Sequence, residues 1–251
     1  MKSSHCVLLT RPSGFNGGLQ GLLHKAGIRS LEKPMLEIKS LVMTPAAKRL
    51  VINLDEQDLV IFISKNAVTR SISVLEEFWP QWPAISWFAI GRTTAHALES
   101  YGIKATYPEK ASSEDLLALP ELQEVENLRV MIVRGQGGRE LMAKELVNRG
   151  ARVSYLETYT RIGIKYGESL ASDLHDQRLD ICVVTSLEGL NQLLVSLNRA
   201  ELGKLHLVVP SGRIAAAAGN QGWAGVSEAT GADDDALFQS ILKVTLVIKP
   251  E

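Results

Sequence analysis

Six short apolar runs punctuate the chain: Val7 to Leu9, Val60 to Ile63, Trp87 to Ile90, Val130 to Val133, Ile181 to Val184 and Leu207 to Val209. None is long enough for a helix and none alternates with polar residues, which is the pattern of strands covered on both faces of a parallel sheet. After nearly every run the apolar positions take up helical spacing: Leu19, Leu22, Leu23 and Ala26; Val68, Ile72 and Leu75; Ala95 and Leu98; Leu141, Leu146 and Val147; Leu190, Leu193, Leu194 and Leu197. Strand then helix, repeated, predicts an α/β fold. Asp233, Asp234 and Asp235, before the periodic Ala236, Leu237, Ile241 and Leu242, read as an acidic helix start rather than a metal site.

Open parallel sheets hold ligands beyond the carboxyl ends of their strands, so the junctions between run and helix carry the candidate chemistry. They read Thr10-Arg11-Pro12, Ser64-Lys65-Asn66, Gly91-Arg92-Thr93-Thr94, Arg134-Gly135-Gln136-Gly137-Gly138-Arg139, Thr185-Ser186 and Pro210-Ser211-Gly212-Arg213. Each alone is an ordinary helix cap. Together, hydroxyl and small residues with a cation in five of the six predict several small anion sites, built from free backbone N–H groups at a helix start and a nearby Arg or Lys.

The chain also resembles itself. Val7 to Arg11 matches Val130 to Arg134, and Leu23, Gly27 and Arg29 match Leu146, Gly150 and Arg152, all at an offset of 123. Asp58, Ser64 and Ile72 match Asp180, Ser186 and Leu194 at 122, and Ala97, Gly102 and Leu117 match Ala217, Gly222 and Leu237 at 120. Two α/β domains of similar plan follow. A cut near residue 125 is one division. The other pairs Lys33 to Ile38 with Ser154 to Arg161, two segments of β character, as an antiparallel connector, so that the chain builds a whole second domain before finishing the first. Periodicity alone leaves both open.

Composition narrows the function classes. In 251 residues, 27 Lys plus Arg against 28 Asp plus Glu give a net charge of -1, so no global basic field gathers nucleic acid or an anionic membrane. No run approaches the ~18 apolar residues of a membrane-spanning helix, and the N-terminus lacks the apolar stretch of a secretory signal, so a cytoplasmic chain is expected. Cys6 and Cys182 lie at or within apolar runs without metal-like spacing and read as buried strand thiols. The Gly135-Gln136-Gly137-Gly138 segment lacks the third glycine of a dinucleotide loop, since Glu140 stands there; there is no P-loop, and His5, His24, His96, His175 and His206 have no metal-like or triad-like companions in sequence.

In order and spacing, Leu9-Thr10-Arg11-Pro12, Ile61 to Val68, Ala89 to Ala95, Arg134-Gly135 with Gly138-Arg139-Glu140-Leu141, Glu157-Thr158-Tyr159 and Val184-Thr185-Ser186 resemble the uroporphyrinogen-III synthase family along essentially the whole chain. Ile63 departs from the family's usual Thr before the serine, and Ser211 to Ile214 is a looser match. The resemblance implies two flavodoxin-like parallel-sheet domains joined by a two-stranded connector, residues 1–35 with 162–251 in one domain and 38–158 in the other, with the active site in the cleft between them. It implies closure of the linear tetrapyrrole hydroxymethylbilane to uroporphyrinogen III, with loss of water and inversion of the terminal pyrrole ring. No metal or organic cofactor is implied, nor a nucleic acid or membrane partner, and a monomer is expected. Tyr159 is the implied acid for the departing hydroxyl. Arg11, Ser64, Lys65, Asn66, Gly91, Thr94, Arg134, Gly135, Arg139, Ser186 and Ser211 are the implied holders of a substrate rich in carboxylates, with main-chain donors so prominent that loss of a single serine hydroxyl is expected to be mild. A two-domain binding module for a small polycarboxylate or nucleotide is the alternative, separated by whether hydroxymethylbilane is turned into isomer III.

Overall fold

The computed structural model describes residues 5–138 and 140–248. In chain order the elements are β1 (Cys6–Leu9), α1 (Gly17–Lys25), β2 (Arg29–Glu32), β3 (Leu36–Ser40), α2 (Pro45–Ile52), β4 (Leu59–Phe62), α3 (Lys65–Phe78), β5 (Ser86–Ala89), α4 (Arg92–Glu99) and α5 (Ser113–Leu117). Then come β6 (Arg129–Gly135), α6 (Leu141–Asn148), β7 (Arg152–Gly163), α7 (Ser169–Asp176), β8 (Ile181–Val183), α8 (Leu187–Ser196), α9 (Arg199–Leu202), β9 (His206–Val209), α10 (Gly212–Ala218), β10 (Gly225–Glu228) and α11 (Asp234–Val247). The chain divides into two compact units, Met1–Ile38 with Ile162–Glu251, and Lys39–Arg161.

In the first unit the strand order is β10-β9-β8-β1-β2, all parallel. Numbered along the unit, this is the 2-1-3-4-5 order of a flavodoxin-like sheet. Side chains on a strand alternate between faces, and here both faces are apolar. Cys6 and Leu8 pack with Leu170, Leu174, Leu190 and Leu193. Val7 and Leu9 pack with Leu19, Leu23, Leu237 and Ile241. Helices on both sides therefore account for the unbroken apolar runs, and both cysteines are buried free thiols.

The second unit holds the order β3-β7-β6-β4-β5, with β7, β6, β4 and β5 parallel and Phe88 of β5 bridging in parallel to Thr106. Counted from β6, through β7, β4 and β5 to the Thr106 bridge, the order is again 2-1-3-4-5, circularly permuted along the chain. The sequence offsets thus align β1 with β6 and β8 with β4, strands of equal rank. At β3, Leu41 N–H donates to Thr158 O and Ile164 N–H to Met35 O, both at 3.0 Å; one index rises as the other falls, so β3 runs antiparallel to β7.

Two strands escape the sequence pattern. β2 and β10 are the edges of the first sheet, and an edge with one neighbour and a partly solvated face carries polar residues: Arg29-Ser30-Leu31-Glu32 and Gly225-Val226-Ser227-Glu228. The acidic start of α11 is as read, with Asp233 accepting from Ala236 N–H at 2.9 Å.

Candidate active site

A 2-1-3 strand order leaves a crevice beyond the carboxyl ends of the two strands where the order reverses. In the second unit these are β4 and β6. Beyond β4, Ser64 is extended (φ -168°) and caps α3, its Oγ accepting from Ala67 N–H at 3.0 Å. The same Oγ lies 3.1 Å from the hydroxyl of Tyr159, a side chain only 2% exposed.

A bulge brings Tyr159 there. β6 and β7 pair Arg134 with Glu157 and then Gly135 with Tyr159, so Thr158 is an extra residue on β7. Arg134 and Gly135 are consecutive and face opposite ways, hence so do Glu157 and Tyr159, although two apart they would otherwise share a face. Tyr159 therefore stands over Gly135. A Cβ at 135 would lie 2.5 Å from Tyr159 Cε2 and Cζ, so only glycine admits the ring. Gln136 N–H donates to Tyr159 O at 2.7 Å, and the Arg161 guanidinium lies 5.9 Å from the ring centroid.

Arg134 is buried, 3% exposed. Its Nε donates to Gly135 O at 3.1 Å, Nη2 donates to Gly137 O, and the guanidinium lies 4.7 Å over the Tyr155 ring. It thereby folds back the loop in which Gly137 (φ 71°) and Gly138 (φ 94°) are left-handed. Burial pushes the Tyr155 phenol up, with Glu140 adding to the rise and Arg134 opposing it. Tyr155 stays neutral.

The remaining residues divide between the units. Lys65 (exposed) and Asn66 (half-buried) form the first turn of α3. Gly91 caps α4 against Ala111, whose Cβ would sit 2.5 Å from a Cβ at 91, and buried Thr94 donates its N–H to Gly91 O at 3.1 Å. In the first unit Ser186 caps α8 through Gly189 N–H at 3.0 Å. Ser211 begins α10 without a side-chain bond, and a Glu228 carboxylate oxygen lies 3.3 Å from where a Cβ on Gly212 would be. Arg11 donates to Asp234 at 2.5 Å, to Phe15 O at 3.1 Å and to Ala232 O at 2.6 Å, fixing its own loop to the start of α11. Arg139 lies outside the described residues.

The structure thus brings Ser64, Gly135 and Tyr159 to one point, sets the Arg134 guanidinium over Tyr155, and leaves Ser186, Ser211 and Arg11 in the other unit. Sequence reasoning missed Tyr155, Arg161 and the bulge. Plain alternation would have put Tyr155, Glu157, Tyr159 and Arg161 on one face, and only pairing with β6 reveals the switch. Among the described residues no cluster of three His, Cys, Asp or Glu could hold a metal, and no helix is long and apolar enough to cross a membrane.

The family model for uroporphyrinogen-III synthase HemD matches residues 18–239. The chain is 38% identical over 243 residues to uroporphyrinogen-III synthase of Escherichia coli (strain K12), spanning 94% of this chain and 99% of that one. It is 36% identical over 196 residues to that of Proteus mirabilis, spanning 76% and 98%. In fold it is similar to a mutant uroporphyrinogen III synthase from the extremely thermophilic bacterium Thermus thermophilus (TM-score 0.65, 18% identity, 97% of this chain and 99% of that one). It is also similar to uroporphyrinogen-III synthetase from Helicobacter pylori 26695 (TM-score 0.63, 14% identity, 96% and 99%). With a matching family model over most of its length and relatives aligned nearly end to end, the chain belongs to the uroporphyrinogen-III synthase family.

Proposed function

We infer that this chain closes hydroxymethylbilane to uroporphyrinogen III, with loss of water and inversion of the terminal pyrrole ring. The observation that carries the reading into chemistry is a phenol, Tyr159, at the switch point of the second sheet with its hydroxyl on the cap of a helix. The substrate's hydroxymethyl C–O bond breaks as Tyr159 O–H gives its proton to the departing hydroxyl, which leaves as water, and the pyrrole nitrogen's electron pair forms an azafulvene. The substituted carbon of the last ring attacks the azafulvene methylene; in the resulting spiro intermediate the older bond from that carbon to its methylene bridge breaks, and the released methylene recloses on the same ring's free α-carbon. A proton lost from that ring as aromaticity returns restores the phenol. No cofactor is required by this balance. Direct closure to isomer I competes, so positioning is the main catalytic term, with the acid worth ~10²–10⁴-fold.

Carboxylates of the substrate are held, in this proposal, by the N–H groups of helix starts: those after Ser64 (Lys65, Asn66), after Gly91 (with Thr94 in the first turn) and after Ser186. Extended serine caps that open a helix at Ser64 and at Ser186 support it, since the first N–H groups of a helix have no partner within it. The start after Ser211 is the weakest of the set because Glu228 already places a carboxylate beside it. Arg11 and Arg134 serve by holding loops, and Gly135 by admitting the Tyr159 ring; Arg139 remains assigned to carboxylate binding. The crossed division of residues 1–35 with 162–251 against 38–158 belongs to the same proposal, supported by compact units whose boundaries fall at Ile38 and Ile162, as do a cytoplasmic setting and a monomeric state.

The test is incubation with hydroxymethylbilane and separation of product isomers. Isomer III is expected from the parent. Tyr159→Phe should lower kcat by about one to three orders of magnitude, toward the lower end because hydroxymethylbilane also cyclises unaided and water can stand in for the phenol, and should still give isomer III. Isomer I alone from the parent would overturn the reaction, and unchanged turnover in Tyr159→Phe would remove the acid role.

A further inference from the structure

We propose that Ser64 is a positioning residue that aims the Tyr159 hydroxyl proton and steadies the oxygen it leaves. The proposal rests on the reading of Tyr159 as the acid. A serine hydroxyl has one hydrogen and two lone pairs. Ala67 N–H occupies one lone pair at 3.0 Å, and the only other partner within the described structure is the Tyr159 oxygen at 3.1 Å. Either oxygen can donate across that contact; once the phenol's hydrogen is committed to the substrate's leaving hydroxyl, the serine is the one left to donate, and Ser64 directs its single hydrogen at the phenol oxygen. Tyr159's own hydrogen is then turned away from Ser64 and toward substrate.

Three groups stand in line: Ala67 N–H to Ser64 Oγ, Ser64 O–H to the Tyr159 oxygen, and Tyr159 O–H to the leaving hydroxyl. When the phenol gives up its proton, the negative oxygen receives a hydrogen bond from Ser64, and hydrogen bonds to ionised groups are the stronger kind. The positive end of α3, a helix of 14 residues, lies behind the same serine. Both contributions strengthen as negative charge develops on the phenol oxygen, so they act on kcat and hardly on KM. The sheet makes the alignment stiff, because Ser64 is fixed by the cap and Tyr159 by the bulge and by Gly135. A larger loss of turnover follows for the Ser64 hydroxyl than main-chain binding alone would give: the main-chain donors survive its removal, and the line to Tyr159 does not.

A double-mutant cycle reads it directly. Ser64→Ala should lower kcat about tenfold with KM within about twofold, and Ser64→Thr, which keeps hydroxyl and cap, should restore most of it. Ser64→Gly removes the hydroxyl while retaining a good helix start; it should match Ser64→Ala, which excludes a folding defect as the cause. In the Tyr159→Phe background the serine substitutions should cost nothing further. An equal loss in both backgrounds would overturn the proposal and make Ser64 a cap or a substrate contact only. If instead Tyr159→Phe alone leaves kcat unchanged, the acid reading fails first and the proposal falls with it, an outcome the cycle distinguishes because the Ser64 variants then alter nothing through Tyr159.

Discussion

Substituting Gly135→Ala adds one methyl group at the closest contact in the site. The new carbon would sit 2.5 Å from Tyr159 Cε2 and Cζ, and carbon atoms rest no closer than about 3.5 Å, so the ring must retreat by about 1 Å. Tyr159 is 2% exposed and bonded by its hydroxyl to Ser64 at 3.1 Å, so a retreat of that size takes the contact beyond hydrogen-bond length. Overpacking of this kind costs about 1–3 kcal/mol, a fall in Tm of roughly 2–12 °C for a chain of this size. Displacing the acid by about 1 Å should lower kcat roughly 10- to 100-fold. Coupled measurement of kcat, KM and a melting curve on hydroxymethylbilane decides the matter: KM should hold, since the helix starts are untouched. A variant with parental kcat and parental Tm would refute the packing of the ring on Gly135 and with it the placement of the hydroxyl.

Ser186→Ala removes a cap bond to Gly189 N–H and should cost about 1 kcal/mol, read as a drop of a few degrees in Tm, with KM changed less than about threefold because the main-chain donors of α8 remain; a hundredfold loss of turnover with the fold intact would assign the hydroxyl itself to the substrate. Burial holds the half-buried His206 imidazole below its ordinary 6.5, so the unfolded chain takes up that proton first: stability is complete above 6.5 and is lost as pH falls through it toward the folded value. His206→Gln should flatten the curve of unfolding free energy against pH between about 5 and 7, and denaturant titrations at several pH values that leave the slope unchanged would remove His206 as its source.

How much of this was legible in sequence followed the range of each interaction. Strands β1, β4, β5, β6, β8 and β9 were readable because burial on both faces writes an apolar run, and β2 and β10 were not, because an edge strand has one covered face at most. Caps were readable at Ser64, Ser186 and Asp233, whose partners lie three residues on. Arg11 was readable as a cation but not as the partner of Asp234, 223 residues away. Tyr159 could be singled out by resemblance, yet the two features that place it, the extra residue at Thr158 and the bare Cα of Gly135, exist only once β6 and β7 are paired.

The two permuted sheets carry the same helix starts but not the same chemistry. Ser64 and Ser186, matched at an offset of 122, cap α3 and α8 in the same way, each accepting from the N–H three residues on at 3.0 Å. Across the switch point the units diverge. β7 runs for 12 residues with a bulge and presents a phenol, whereas its counterpart β2 runs for four, and the offset of 123 sets buried Leu36 where Tyr159 stands. The end of β1 is instead sealed by Thr10 Oγ1 donating to Val183 O at 2.7 Å. Under the proposed reaction this asymmetry has a chemical reason. Carboxylates are distributed along a linear tetrapyrrole, so helix starts are useful in duplicate, while one C–O bond breaks per turnover and needs one acid. A second phenol in the other unit would favour ionisation without the geometry that directs attack, and would raise the yield of isomer I along with the rate. Placing a tyrosine at Leu36 tests this: Leu36→Tyr should leave isomer III formation no faster, and any gain in total closure should appear as isomer I.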